Sequence, residues 1–232
     1  MDPRRCNALR QAPDPGRFSI SLPGYLDALR MLLTGPLPGR RAHAAMLPSW
    51  RREVPDSHEG FRSASVLIIL YPENGRLRFP LIERSSGPRP HDGQIALPGG
   101  AVESGESGEA AALREAREEL GFDPSSLDLA GRLTPVAVSV SRFLMTPFVA
   151  VATERPDFRP APAEVAAWFS VDLEELMEET SMTTATVRHD GADRSVPCFR
   201  LAGSAVWGAT AMALSEFAEL ARRAAQRGAL RG

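Results

Sequence analysis

Lysine does not occur in this chain: all 27 basic residues are arginine. That absence excludes a phosphate-loop lysine, a Schiff-base lysine and a lysine general base. Arginine still offers bidentate recognition of phosphate. Neither sign of charge is in surplus, since 27 basic and 29 acidic residues leave a net charge of −2. A general nucleic-acid binder draws its affinity from excess cations, so no nucleic-acid partner is expected. Cysteine is scarce, and Cys6 and Cys198 lack metal-type spacing, which reads as reduced cytosolic thiols. Long apolar runs are missing too. Residues 66–70 form one of the longest, far too short to span a bilayer. The first 17 residues lack the apolar core of a secretory signal. A cytoplasmic location with no membrane partner is therefore expected. What remains is 232 residues, 43% apolar and 24% charged, enough for one domain with an appendage and a real core.

The chain divides into residues 1–62, an extension, and residues 63–232, a compact domain. Within the extension, residues 23–33 read as a short amphipathic helix with Leu26, Leu29 and Leu33 at helical spacing. Gly35-Pro36 stops it, and residues 37–56 read as an irregular connection. In the domain, residues 65–71 are a buried strand, Glu73-Asn74-Gly75 a hairpin turn and residues 76–83 the return strand. A short extended piece spans residues 94–97, and Pro98-Gly99-Gly100 is expected to break the chain. Residues 108–120 are a helix closed by Gly121. Strands are expected over residues 127–140, 145–153, 165–171 and 197–201, with helices over 173–178 and 205–227. Mixed strands and helices with short turns give an α/β (α+β) fold with a mixed sheet.

The chemistry concentrates in residues 100–122, GAVESGESGEAAALREAREELGF. On a helix, Glu115, Glu118 and Glu119 fall within one arc of roughly 100°. Leu113, Ala116 and Leu120 form a neighbouring apolar arc that can dock on a sheet. Carboxylates at i, i+3 and i+4 repel one another. A solvated acidic face is one reading of them. Hard oxygen ligands for Mg²⁺ or Mn²⁺ are the other, because the ion's charge cancels the repulsion. Gly100 lets backbone approach closely and can aim a carbonyl at the same ion. Arg114 stands beside the cluster and can bind Glu106 across the loop, fixing its shape.

This stretch resembles the signature of the Nudix hydrolase superfamily. Gly100, Glu106, Arg114, Glu115, Ala116, Glu118, Glu119, Gly121 and Phe122 fill the pattern, with Ala116 small for its apolar position. The resemblance implies a Nudix fold, a mixed sheet sandwiched between helices, and metal-dependent hydrolysis of a nucleoside diphosphate linked to another moiety. It makes Glu115, Glu118, Glu119 and Gly100 the metal site, and Glu106 part of the structural loop. Residues 81–100 are similar to the motif that precedes the box in the coenzyme A pyrophosphatase subgroup, through Arg84, Ser85, Arg89, His91, Gly93, Gln94, Pro98, Gly99 and Gly100. Pro88, Leu97 and Glu103 depart from it, standing where leucine, phenylalanine and aspartate are usual. The implied substrate is coenzyme A or acyl-CoA, bound by Arg84, Arg89, His91 and Gln94 and cleaved to 3′,5′-ADP and (acyl-)4′-phosphopantetheine. Catalysis is assigned to Glu118, Glu164 and Arg114, with Glu164 and Glu118 competing as general base. The rival substrates are ADP-ribose, dinucleotides and oxidised nucleotides. A rival of another class is a non-catalytic nucleotide-sensing regulator, which would lack box glutamates that are all present here. A homodimer is left open. Ser139 and Ser141 have no plausible His/Asp partners, so nucleophilic serine catalysis is not expected. Met177, Met182 and Met212 read as filler, and Trp207 as helix packing.

Overall fold

The computed structural model describes residues 22–50, 59–85, 94–189 and 191–229. Helices α1 (Leu22–Leu33) and α2 (Arg40–Ala44) come first, followed by strands β1 (Arg62–Glu73) and β2 (Arg76–Arg84). Next are β3 (Ile95–Ala96), β4 (Gly99–Ala101) and α3 (Gly108–Leu120). Then come β5 (Leu127–Arg132), β6 (Val136–Val138), β7 (Phe143–Ala152), β8 (Val165–Asp172) and α4 (Leu173–Met177). Strands β9 (Met182–His189), β10 (Ala192–Leu201) and β11 (Ser204–Trp207) precede the terminal helix α5 (Gly208–Ala229).

Eight strands form one mixed sheet in the order β3-β2-β1-β7-β5, with β4 on β1, β6 on β7 and β8 on β2. The central strand β1 runs parallel to β7, from Arg62 opposite Phe143 to Leu70 opposite Val151. It runs antiparallel to β2 and β4. Its side chains alternate between two cores. Val66, Ile68 and Leu70 pack with Leu29 and Leu33 of α1 and Phe217 and Leu220 of α5. Leu67, Ile69 and Tyr71 pack with Ala112, Ala116 and Leu120 of α3. A strand covered on both faces reads as an unbroken apolar run, which is how residues 65–71 look in the sequence. The expected mixed sheet between helices is thus the architecture found. The remaining strands form a separate antiparallel sheet, β11-β10-β9.

Several expectations on single elements change. The strand expected over residues 127–140 is two strands, β5 and β6. The chain leaves the ladder at Thr134, whose N–H and hydroxyl both turn to Glu216, and Pro135 has no N–H to donate. The terminal helix starts at Gly208, not 205, because Ala205 to Trp207 pair with Arg200 to Cys198. Strand β9 was not expected. Nor was β4: residues 99–101 bridge to Ala64 to Val66 where a break was foreseen. The connection expected over residues 37–56 contains α2, while residues 51–58 lie outside the described residues. Cys198 is buried and unbridged, and Cys6 lies outside the described residues.

Candidate active site

Helix α3 starts where Ser107 accepts a hydrogen bond from the Ala110 N–H (3.1 Å) and ends where the Gly121 N–H reaches the Arg117 carbonyl (2.8 Å). Docking Ala112, Ala116 and Leu120 on the sheet turns the glutamate arc toward β4 and the end of β2. There the backbone comes very close. A Cβ at position 100 would overlap the Glu115 carboxylate. A Cβ at Gly99, whose φ is 149°, would collide with the Ser65 carbonyl on β1. Only glycine at both positions lets the strand pass between β1 and the carboxylates.

Arg114 is the hub of the corner. Its Nε and Nη2 donate to the two carboxylate oxygens of Glu106 at 2.9 and 3.0 Å. Its Nη1 donates to Glu115 at 2.9 Å and to Glu118 at 3.2 Å, and its Nη2 also reaches the Ala101 carbonyl at 3.1 Å. The Glu106 carboxyl is held below its ordinary range by Arg114, helped by the Glu103 N–H. Arg114 in turn is held more firmly protonated, chiefly by Glu106. The expected Arg114–Glu106 clasp is therefore present, and it closes the loop between β4 and α3.

Glu119 sits deeper and is fully buried. One oxygen accepts from Arg84 Nη1 at 3.0 Å and the other from the Gly99 N–H at 2.8 Å. Its carboxyl is nevertheless pushed up to about 7. Burial is the main cause, Arg84 and the Gly99 N–H oppose it, and the charges of Glu115 and Glu164 add to it. Burial raises a carboxyl in this way because the ion loses its hydration. Arg84 also donates to the Gly99 carbonyl at 3.3 Å, so the end of β2 is fastened to β4 and the α3 glutamates.

Of the other expected site residues, Gln94 lies beside Arg84, whose backbone N–H donates to the Gln94 backbone carbonyl at 3.2 Å. Glu164 is exposed at the start of β8, where its carbonyl accepts from the Ser85 N–H at 3.0 Å. Arg89 and His91 lie outside the described residues. Sequence reasoning did not single out the Gly99 N–H or the Ala101 carbonyl. The available signal was the Gly99-Gly100 pair, since glycine marks where backbone can approach closely. Among the described residues, no three His, Cys, Asp or Glu side chains form a ready metal cage. Arg114 and Arg84 presently balance the glutamates. The donor set itself, hard carboxylate oxygens on one rigid helix with Gly100 against Glu115, fits Mg²⁺ or Mn²⁺.

A cavity of about 880 Å³ opens beside this corner, lined by Arg84, Gln94 and residues 99–101 together with Trp50, Phe143 and Trp207. Trp207 was expected only to pack a helix; it ends β11 and lines this cavity.

Residues 61–189 match the NUDIX domain family. An uncharacterized Nudix hydrolase, NudL of Enterobacter sp. (strain 638), is 33% identical over 203 residues, covering 86% of this chain and 94% of that protein. NudL of Citrobacter koseri is 35% identical over 158 residues, covering 68% of this chain and 81% of its own. Among solved structures, the Nudix hydrolase RenU from M. smegmatis is 27% identical with a TM-score of 0.43, covering 49% of this chain and 72% of its own. The NUDIX match contains β1, α3 and the whole Arg114–Glu119 corner, and the Enterobacter protein is spanned almost end to end. This chain therefore belongs to the Nudix hydrolases, a family that cleaves nucleoside diphosphate derivatives and generally needs a divalent metal ion.

Proposed function

We propose that this protein hydrolyses the diphosphate of coenzyme A or acyl-CoA to 3′,5′-ADP and (acyl-)4′-phosphopantetheine. One observation supports the reading above others. The segment that resembles the coenzyme A motif is physically joined to the metal helix, through Arg84 on Glu119 at 3.0 Å and the Gly99 N–H on Glu119 at 2.8 Å.

Glu115, Glu118, Glu119 and the Gly100 carbonyl would hold Mg²⁺ or Mn²⁺. When bound, that ion polarises phosphoryl oxygens and acidifies water. The protein's own groups do the rest. Arg114 keeps Glu115 and Glu118 aligned. Water adds to one phosphorus, the bridging P–O bond breaks with its electron pair on the departing phosphate, and one proton is released. Glu164 accepts that proton. It is exposed, and its backbone is pinned by Ser85 and Ala161, both at 3.0 Å. Glu118, its competitor, is tied to Arg114. A base of this kind contributes roughly 10²- to 10⁴-fold. Glu164→Gln should cost at least tenfold in kcat; a smaller loss, with Glu118→Gln crippling, gives the role to Glu118.

The 3′-phosphate of coenzyme A needs cations outside the metal cluster. With no lysine present, arginine is the side chain for it. Arg84 is already committed to Glu119, which leaves Arg89 as the stronger candidate in the motif. A charge-assisted contact is worth roughly ten- to a hundredfold. Arg89→Ala should raise KM for coenzyme A by that factor and change dephospho-coenzyme A much less. The deciding experiment is a panel of coenzyme A, dephospho-coenzyme A, ADP-ribose, a dinucleotide and an oxidised nucleoside triphosphate, with product identification. A parent enzyme that prefers ADP-ribose to coenzyme A overturns the substrate assignment.

A further inference from the structure

The cavity beside the catalytic corner differs in character from the corner itself. No carboxylate lines it among the described residues, and its apolar lining includes Trp50, Val138, Val140, Phe143, Met145 and Trp207. Three arginines also line it, and each has a partner on this chain. Arg84 binds Glu119 at 3.0 Å, Arg188 binds Asp193 at 3.1 Å, and Arg62 lies over the Phe143 ring at 4.3 Å. The Trp50 ring is likewise faced by Arg194, at 5.4 Å. Val140, on the turn between β6 and β7, is 65% exposed. It is the one exposed large apolar side chain of the described residues that faces this space.

A nucleobase is chosen by polar groups that meet its edge, and a sugar by acceptors that meet its hydroxyls. This wall offers neither in number: its neutral polar side chains are Gln94, Ser141 and Thr210. Branched and aromatic apolar groups instead favour transfer of hydrocarbon out of water. The cavity also reaches Gly99, Gly100 and Ala101, and Gly100 lies against the Glu115 carboxylate, so the cavity adjoins the α3 glutamates.

We infer that this cavity is the subsite for an aliphatic arm carried on the diphosphate, with Val138, Val140 and Trp207 as specificity-determining residues. The inference rests on the catalytic reading of the α3 glutamates. It is independent of any recognition of a 3′-phosphate. The arm lies along the Val138–Val140 turn and the Trp207 ring while the diphosphate stays at α3. Lengthening it buries more apolar surface without touching the reacting phosphorus.

The test is a series of P²-alkyl esters of ADP, from methyl to octyl, hydrolysed by the full chain with saturating Mg²⁺. Each methylene that enters the subsite should raise kcat/KM roughly two- to fourfold until the cavity is full. Val140→Asp changes an exposed side chain and leaves the core intact. It should lower kcat/KM for the octyl ester by about tenfold or more and that for the methyl ester by less than about threefold, because a carboxylate beside hydrocarbon loses hydration. The α,β-methylene analogues bind without turning over. They should quench or blue-shift tryptophan emission with affinity that grows with chain length, and Trp207→Phe should remove most of that change. A flat series in the parent overturns the inference. So does a flat series combined with a large loss when adenosine is replaced by ribose, which would give the cavity to the base. A rising series together with equal use of coenzyme A and dephospho-coenzyme A upholds the aliphatic subsite and removes the 3′-phosphate reading instead.

Discussion

Among the described residues two glutamates, Glu119 and Glu216, are fully buried, and their surroundings treat the charge in opposite ways. Glu216, on α5, receives the Gly39 N–H at 2.8 Å, the Thr134 N–H at 3.0 Å, the Thr134 hydroxyl at 2.8 Å and a contact from His43 Nε2 at 3.1 Å. Burial alone would raise its carboxyl, but hydrogen bonds from His43, Thr134 and Gly39 together hold it below the ordinary range. Glu119, on α3, has one guanidinium and one N–H, and two other carboxylates whose charges act on it, so burial wins and its carboxyl rises to about 7. Glu216 is a finished structural clamp that joins α2 and the β5–β6 connection to the terminal helix. Glu119 is left short of positive charge. The difference teaches where a cation is wanted: a buried carboxylate with its donors complete has no use for one, and an under-compensated one does.

Removing each charge breaks the comparison in opposite directions. Glu119→Gln keeps shape and discards the charge. It should lower kcat by roughly two to four orders of magnitude at saturating Mg²⁺, the scale of a lost metal-stabilised transition state. Thermal stability of the metal-free variant should equal or exceed the parent's, since the amide carries no uncompensated charge. Turnover within a few-fold of the parent would remove Glu119 from the metal site. Glu216→Ala should do the reverse. It leaves His43 and three donors without their acceptor and should cost roughly 3–5 kcal/mol in urea unfolding. The kcat of the folded enzyme should stay within about twofold, because no part of the clamp touches the α3 corner. A large loss of kcat with unchanged stability would show that the clamp serves the chemistry.

The two sites also differ in how far the sequence disclosed them. The α3 corner was legible because its residues lie within 23 positions, from 100 to 122, where helical spacing alone brings Glu115, Glu118 and Glu119 together. The Arg114–Glu106 clasp is local enough to read for the same reason. The Glu216 clamp was invisible. Its partners come from positions 39, 43 and 134, and nothing in the spacing of Gly39, His43 and Thr134 announces that they meet. The expected helix over residues 23–33 was found, yet its shared core with α5 depends on tertiary packing that periodicity does not specify. Strand β9 did carry a signal, a run of Thr and Val ahead of Asp190-Gly191, which is a hairpin pattern. Strand β11 carried little, since Ser204 to Trp207 run straight into a helical pattern. The Val138, Val140 and Trp207 wall depends on bringing two distant segments together, so it required the structure.

The smallest expected effect sharpens the comparison most, because it moves Glu216 one step toward the condition of Glu119. Thr134→Val is nearly isosteric and deletes the hydroxyl donor to Glu216 while keeping the Thr134 N–H bond. Loss of one hydrogen bond to a buried carboxylate should cost about 1–3 kcal/mol at neutral pH. The sign with pH follows from the direction of the shift. Glu216 is held below its unfolded value of 4.5, so its stabilising contribution is fully present above that value and is lost as pH falls through the lower folded value. Deleting a donor moves the folded value up toward 4.5 and leaves less to lose. Parent and variant should therefore differ most near neutrality, and their stabilities should converge as the pH drops below about 4.5, measured by urea unfolding at each pH. A gap that stays constant across that range would mean that the hydroxyl stabilises the fold through packing and not through the Glu216 charge.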